Sequence, residues 1–206
     1  MSPRTRQHVN PFSFRQLAPT KPLSLPEIDV IEVDLGCGSG DYVIARAKTY
    51  PERFILGIDI RESFLAEGIE QIERDHIQNA RLECRNLLFD GCQIFEGAKI
   101  AAFTIQFPDP LFKPSQRNRR WFTPASLNLL VDALVPEGSI TFQSDVWEPS
   151  LDALSILEAH PQLHNVAGEF SFAKTRLLDQ KTRREISCEE RGLQIWRMRF
   201  IKRHTS

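Results

Sequence analysis

This 206-residue chain carries few of the residue patterns that would announce a function at once. Its four cysteines, Cys37, Cys84, Cys92 and Cys188, lack the paired spacing that closes a metal site, so no metal is expected and the thiols read as reduced and structural. No apolar run approaches the roughly 20 residues needed to cross a bilayer, and the opening residues are polar and proline-bearing, which leads to the expectation of a soluble, cytoplasmic protein. A formal charge of -1 excludes a uniformly basic polyanion binder.

Charge is nevertheless unevenly placed. Residues 1 to 22 and 113 to 120 each hold four Lys or Arg and no acid, while 121 to 173 hold seven acids and no Lys or Arg. Residues 174 to 206 are basic again, with ten cations against four acids. Three basic segments around an acidic nucleus either converge on a polyanion or form solvated surface. Met1 to Pro26, with Pro3, Pro11, Pro19, Pro22 and Pro26, reads as a flexible basic arm, and residues 27 to 206 as one domain.

The stretch Val30 to Gly40, VIEVDLGCGSG, organises the rest. Val30, Ile31 and Val33 suit a buried strand, Gly36, Gly38 and Gly40 permit a tight turn, and a helical pattern then stops before Pro51. Strand, glycine turn and helix are common to dinucleotide and S-adenosylmethionine sites. Asp34 separates them, because it repels a pyrophosphate and attracts a sulfonium and an amine, unless it only caps the turn. Asp59 closes the next strand, RFILGIDI, where it either accepts both ribose hydroxyls or caps the helix Glu62 to His76. Asn86 follows the strand Ala80 to Cys84, placed to pair with an adenine edge or to cap a turn.

The strand Ile100 to Phe107 runs into Pro108, Asp109 and Pro110. Two prolines that fix the backbone around one carboxylate make sense if Asp109 is held at the reactive end of a cofactor, the alternative being a rigid solvent turn. Then come Lys113, Arg117, Arg119 and Arg120 before Trp121 and Phe122, cations for phosphates beside aromatics that either stack bases or anchor the next helix. That helix, Thr123 to Leu134, has Thr123 as cap and Pro124 at its first position. Ser139 to Asp145 is a fifth strand ending in a third carboxylate candidate, Asp145. The helix Pro149 to His160, a segment around Val166 to Phe172 and the β-rich Leu193 to Ile201 complete an alternating α/β pattern, and Lys174 to Gly192 reads as an irregular substrate loop.

In order along nearly the whole chain, VDLGCGSG, GIDIR, FPDP-x-x-K, a basic R-R-x-x-x-P, a strand ending in S-D and a T-x-x-E before R-G resemble the tRNA (guanine-N7)-methyltransferases of the bacterial single-subunit type. The resemblance implies a doubly wound Rossmann-like methyltransferase fold, a seven-stranded, mostly parallel sheet with its last strand antiparallel. It implies methyl transfer from S-adenosyl-L-methionine to N7 of guanine 46 in the tRNA variable loop. The sequence itself leaves monomer and homodimer both open. Cofactor contacts map onto Asp34, Asp59, Asn86 and Asp109, beside the glycines Gly36 and Gly38. Substrate contacts map onto Lys113, Asp145 and the stretch Thr182 to Glu185, to which the basic segment adds Arg119 and Arg120. Asp109 looks like the family's catalytic aspartate. Asn86 stands where many relatives have aspartate, and Arg183 and Arg184 replace an aromatic inside T-x-x-E. Rival readings are an exocyclic-amine methylator, disfavoured by Asp for Asn in the FPDP turn, a catalytically idle tRNA-binding subunit, and a dehydrogenase, disfavoured by Asp34.

Overall fold

The computed structural model describes residues 23–87, 94, 95, 97–109 and 122–204. Residues 1–22 of the expected arm, with Cys92, Pro110, Lys113, Arg117, Arg119, Arg120 and Trp121, lie outside them. In chain order the described elements are β1 (Ile31–Leu35), α1 (Asp41–Thr49), β2 (Phe54–Asp59), α2 (Glu62–Arg74), β3 (Ala80–Cys84) and β4 (Ile100–Gln106). There follow α3 (Pro124–Ala133), β5 (Leu134–Ser144), α4 (Trp147–Glu158), β6 (Leu163–Asn165), α5 (Arg183–Glu190) and β7 (Trp196–Lys202).

Seven strands form one sheet in the order β3-β2-β1-β4-β5-β7-β6. Strands β1 to β5 pair in parallel, and β7 runs antiparallel to both β5 and β6, as the family resemblance implies. The order reverses between β1 and β4, so their carboxyl ends diverge into the crevice where open α/β sheets bind ligands.

Alternation along each strand gives the sheet two chemically different faces. One face presents Ile31, Val33, Phe103, Ile105, Ile140, Phe142, Met198 and Phe200 to Leu127, Leu130 and Val131 of α3 and Ala153, Leu154 and Leu157 of α4, the main apolar core. On the other, α1 and α2 cover β2 and β3 through Val43, Ala47, Ile55, Leu65 and Leu82. Beyond β1 this second face turns polar: Glu32, Asp34, Thr104, Gln106, Thr141 and Gln143 are all buried. Registers set them in rows, Asp34 to Thr104 to Thr141 to Arg199, and Gln106 to Gln143 to Arg197. Strands that read as apolar runs in sequence are thus apolar on one side only.

Local chemistry accounts for the helix starts. Thr123 caps α3 as expected, its Oγ1 accepting from Ser126 N at 3.2 Å while Ser126 Oγ accepts from Thr123 N at 2.8 Å, with Pro124 following. Lys174 to Gly192 is corrected: it is not irregular throughout but carries α5, capped by Thr182 Oγ1, which accepts from Glu185 N at 3.1 Å. The sixth strand lies at Leu163–Asn165 rather than at Val166 to Phe172, because Gly168 and Phe170 take positive φ angles of 98° and 48° that end extended pairing. Strand β5 starts at Leu134, ahead of the expected Ser139, across an irregularity that contains Glu137 at φ 62°. At the other end of the described chain, Leu23 and Leu25 pack against the main core, and Leu23 N donates to Ile94 O at 3.3 Å.

Helix α2 approaches the glycine turn through Gly68, where an added Cβ would lie 2.1 Å from the Ser39 carbonyl oxygen and 2.5 Å from Leu82 Cδ1. In a helix interior Gly→Ala normally gains about 1 kcal/mol. Gly68→Ala should reverse that sign and lose about 1–3 kcal/mol, because the oxygen it meets is backbone and cannot rotate away. Urea midpoints of the variant and the wild type check the sign.

Candidate functional site

The ligand edge is built from the carboxyl ends of β1 to β5. After β1 the chain turns through Gly36 and Gly38, at φ 83° and 60°, and a Cβ at either would meet nothing within 4 Å. Backbone in this conformation suits glycine, and the open space lets a ligand approach the main chain. The turn is fixed from below, Gly36 N and Cys37 N both donating to Ile58 O at 2.7 and 3.0 Å.

Asp34 sits behind the turn, 3% exposed. Its Oδ1 accepts from Thr104 Oγ1 at 2.5 Å and from Gln106 Nε2 at 3.1 Å, donors supplied by β4 across the switch point. Burial pushes its carboxyl from 3.8 up to about 6, against the lowering effect of those hydrogen bonds and with a further push from the Asp59 charge.

Asp59 closes β2, 4% exposed, and is already engaged. Oδ2 accepts from Gly38 N at 2.9 Å and from an Arg61 Nη at 3.2 Å, and Oδ1 from Arg61 N at 2.9 Å and Arg61 Nε at 3.1 Å. Asp59 is not the cap of α2, whose N-cap is Arg61 without a side-chain cap bond; it steadies the chain just ahead of the helix through Arg61 N and faces the glycine turn through Gly38 N. Arg61 spans more than this pair. Burial alone would lower its pKa, but Asp59 and then the Asp109 charge raise it, and its guanidinium lies 4.1 Å from the Phe64 ring centroid.

Asn86 is buried just beyond β3. At the end of β4, Phe107 adopts φ 50° and donates its N–H to Gln143 O at 2.7 Å, while its ring packs with Cys188 and Ile195. A bulky residue in the left-handed region is strained, and burial of the ring holds it there, one step before Pro108 and the exposed Asp109. Rigidity of this turn thus has a second source besides the prolines.

On the far side of the edge, Asp145 follows β5 and is ion-paired with Arg184 of α5. Thr182 caps that helix, and Glu185, fully buried, turns inward to accept from Gln143 Nε2 at 3.1 Å and from an Arg197 Nη at 2.8 Å. The structure brings Asp34, Gly36, Gly38, Asp59, Asn86, Asp109 and Asp145 to one edge, with Thr182 and Glu185 on the helix joined to it. Lys113, Arg119 and Arg120 fall outside the described residues. Sequence reasoning gave no role to Arg61, Thr104, Gln106 or Gln143. The period-two polar positions in IAAFTIQ and in SITFQS were the available signal.

A family described as "Putative methyltransferase" matches residues 29–198. Among solved structures, an rRNA methylase from Streptococcus thermophilus superposes with a TM-score of 0.56 at 14% identity, covering 85% of this chain and 88% of its own. A precorrin-6y C5,15-methyltransferase from Geobacter metallireducens gives 0.54 at 14%, covering 86% and 82%. Fold and family match together define the class: this is a Rossmann-like methyltransferase of the seven-stranded kind. The tRNA (guanine-N(7)-)-methyltransferase of Thermosynechococcus vestitus is 31% identical over 96% of this chain and 94% of that protein. Its counterpart in Synechococcus elongatus is 30% identical over 97% and 96%. The chain belongs to the tRNA (guanine-N7)-methyltransferase family.

The raised Asp34 pKa has a stability consequence. Folding favours the neutral form relative to the unfolded chain, although the group is still ionised at neutral pH, so the contribution to stability is complete below pH 3.8 and is lost as pH rises through about 6. The loss is about 3 kcal/mol by the usual conversion. Asp34→Asn should therefore be more stable than the wild type at pH 7.5, and the difference should hold down to about pH 7 and shrink as pH falls through about 6 toward 4.5. Chemical denaturation of both proteins across that range tests the sign, and a constant difference would reject it.

Proposed function

We propose that this chain transfers a methyl group from S-adenosylmethionine to N7 of a guanine in tRNA, guanine 46 of the variable loop, in the cytoplasm. The observation that carries the reading is full-length similarity to proteins named for that activity, joined to carboxylates at the ends of β1 and β2 that match the cofactor's charges and hydroxyls.

The residues present fit S-adenosylmethionine. The open turn at Gly36 and Gly38 leaves room for its amino-acid part, and a buried Asp34, costly to ionise alone, is compensated by a cation. Asp59 takes the ribose hydroxyls, for which the Arg61 guanidinium has to yield part of its hold. Asn86 offers donor and acceptor to the adenine. Bound there, the cofactor supplies a methyl group on a cationic sulfur.

Guanine N7 carries a lone pair, so no residue has to remove a proton before transfer. The protein's task is to align N7 with the methyl group and exclude other orientations. Methylation leaves positive charge on the base, which Asp109 and Asp145 offset while accepting hydrogen bonds from its Watson–Crick edge. Lys113, Arg119 and Arg120 take backbone phosphates, and Thr182 and Glu185 complete the substrate side through α5.

Incubation with labelled S-adenosylmethionine and unmodified tRNA, followed by nucleoside analysis, tests the activity. Label in N7-methylguanosine supports it, and label in another nucleoside or none rejects it. Asp109→Ala should melt cooperatively near the wild-type temperature yet lose about a hundredfold in rate, the worth of roughly 3 kcal/mol of electrostatic stabilisation. Activity within a few-fold of wild type removes Asp109 from the reaction. For the basic segment, Arg119→Ala/Arg120→Ala should weaken tRNA binding and flatten its dependence on log salt by nearly two phosphate contacts' worth, with S-adenosylmethionine affinity unchanged. Filter binding over a salt series measures both.

A further inference from the structure

Two glutamines join the cofactor side of the edge to α5. Gln106 Nε2 donates to Asp34 Oδ1 at 3.1 Å, Gln143 Nε2 donates to Gln106 Oε1 at 2.9 Å and also to Glu185 Oε2 at 3.1 Å, and Arg197 closes the row on Glu185 Oε1 at 2.8 Å. Asp34, Gln106, Gln143 and Glu185 are 3%, 8%, 1% and 0% exposed, so no bulk water stands in for a broken link. The line crosses β1, β4 and β5 and ends on α5.

Its direction is fixed by charge. Each glutamine amide has one donor and one acceptor end, and a carboxylate is acceptor-only when ionised. With carboxylates at both ends, turning either amide over would set a carbonyl oxygen against a carboxylate in a buried setting, where such contacts are expensive. The two amides therefore have one mutual arrangement, imposed from Asp34 at one end and Glu185 at the other.

Helix α5 depends on such bonds. It is eight residues long, shorter than helices that persist on their own. Within 174–190 the buried apolar side chains are Leu178 and Cys188 alone, and many of the remaining ties are polar, among them Asp179 to Arg46 and Leu177 O to Arg199 ahead of the helix and, on the helix, Arg183 to Asp41 at 2.7 Å, Arg184 to Asp145, Glu185 to Gln143 and Arg197, and Glu189 to Arg197 at 3.9 Å. Of the residues of α5 so tied, Arg183 is 66%, Arg184 35% and Glu189 39% exposed in the side chain, whereas Glu185 is not exposed at all. Surface pairs contribute little, so the two buried bonds to Glu185, from Gln143 and from Arg197, are the principal polar constraints on where the helix sits, and the one from Gln143 leads back to the cofactor side.

We propose that Gln106 and Gln143 are positioning residues, through which the carboxylate behind the glycine turn orients the amides that hold Glu185 and so docks α5, with Thr182 and Arg184 at its start, on the ligand edge. Occupation of the cofactor side is then felt at α5 and the reverse, a coupling carried by a two-link hydrogen-bond relay. The service this gives to a tRNA substrate rests on the reading proposed above, but the relay itself is a property of the ligand-free chain.

Hydrogen exchange of the α5 backbone amides tests it without ligand. Asp34→Leu removes the acceptor for Gln106, and α5 exchange should accelerate by about fivefold or more, the lower end of usual site-to-site coupling. Gln143→Leu should accelerate it alike, and the double variant Asp34→Leu/Gln143→Leu should add nothing beyond Gln143→Leu. Gln106→Leu repeats the test at the other link. Thr141→Val removes a different buried hydrogen bond on the same face, to Arg199 at 3.0 Å, and should leave α5 exchange unchanged. Additive effects in the double variant, or equal acceleration by Thr141→Val, would overturn the relay in favour of general loosening. In a second arm, saturating S-adenosylmethionine should slow α5 exchange in the wild type and lose that effect in Gln143→Leu. Slowing that persists in Gln143→Leu also overturns the proposal. If the wild type does not bind S-adenosylmethionine, the proposed function falls while the ligand-free cycle still decides the relay.

Discussion

A carboxylate buried at the point where the strand order reverses is the constraint from which most of this molecule follows. Asp34 is at the end of β1, and its donors, Thr104 and Gln106, come from β4, the strand on the other side of the switch. An acid so placed requires polar neighbours, and alternation then carries the requirement across the sheet: where β4 offers Thr104 and Gln106, β5 offers Thr141 and Gln143 in register, and β7 offers Arg199 and Arg197. A polar face cannot be covered by an apolar helix of the α3 kind. What covers it is the segment 174–190, with Asp179 paired to Arg46 at 2.7 Å, Arg199 donating to Leu177 O at 2.5 Å, and Glu185 held between Gln143 and Arg197.

Much of the fold was legible because its apolar face is continuous. Ile31, Val33, Phe103, Ile105, Ile140 and Phe142 alternate with residues small or polar enough to leave the strand pattern unbroken, and Ala80–Cys84 was read to the residue. The strand-end carboxylates were legible for the same reason, each standing where an apolar run stops. Helix α5 was not. Its sequence, RREISCEE, has Ile186 exposed and only Cys188 buried among its apolar residues, so no amphipathic stripe announces it. The helix signal that it does have is Thr182 three residues before Glu185, the spacing of a capping pair, and the family resemblance directed those same residues toward substrate. Nor does sequence reveal that Arg61 folds back onto both oxygens of Asp59, a choice of side-chain conformation, or that Phe107 holds a left-handed backbone before Asp109, which arises from contacts with a separate strand and helix.

The same division separates what this chain shares with other methyltransferases from what is its own. Structures named as an rRNA methylase and a precorrin methyltransferase superpose on it at 14% identity, so the fold alone is compatible with unrelated acceptors. On the function proposed above, acceptor choice falls to what is added at the ligand edge beyond β3, namely the turn at Asp109, the end of β5 at Asp145, and α5. Two of these three are joined directly by Arg184 and Asp145, and the third is aimed by Phe107, whose ring packs with Cys188 of the same helix. Helix α5 is thus the common support of Asp145 and of the turn before Asp109, the proposed substrate side. Because it is short and held mainly by polar bonds, its position is set by partners rather than by its own stability, and those partners lead back along the two glutamines to Asp34. A buried acid that is costly at the cofactor end is in this way part of what fixes the geometry at the acceptor end.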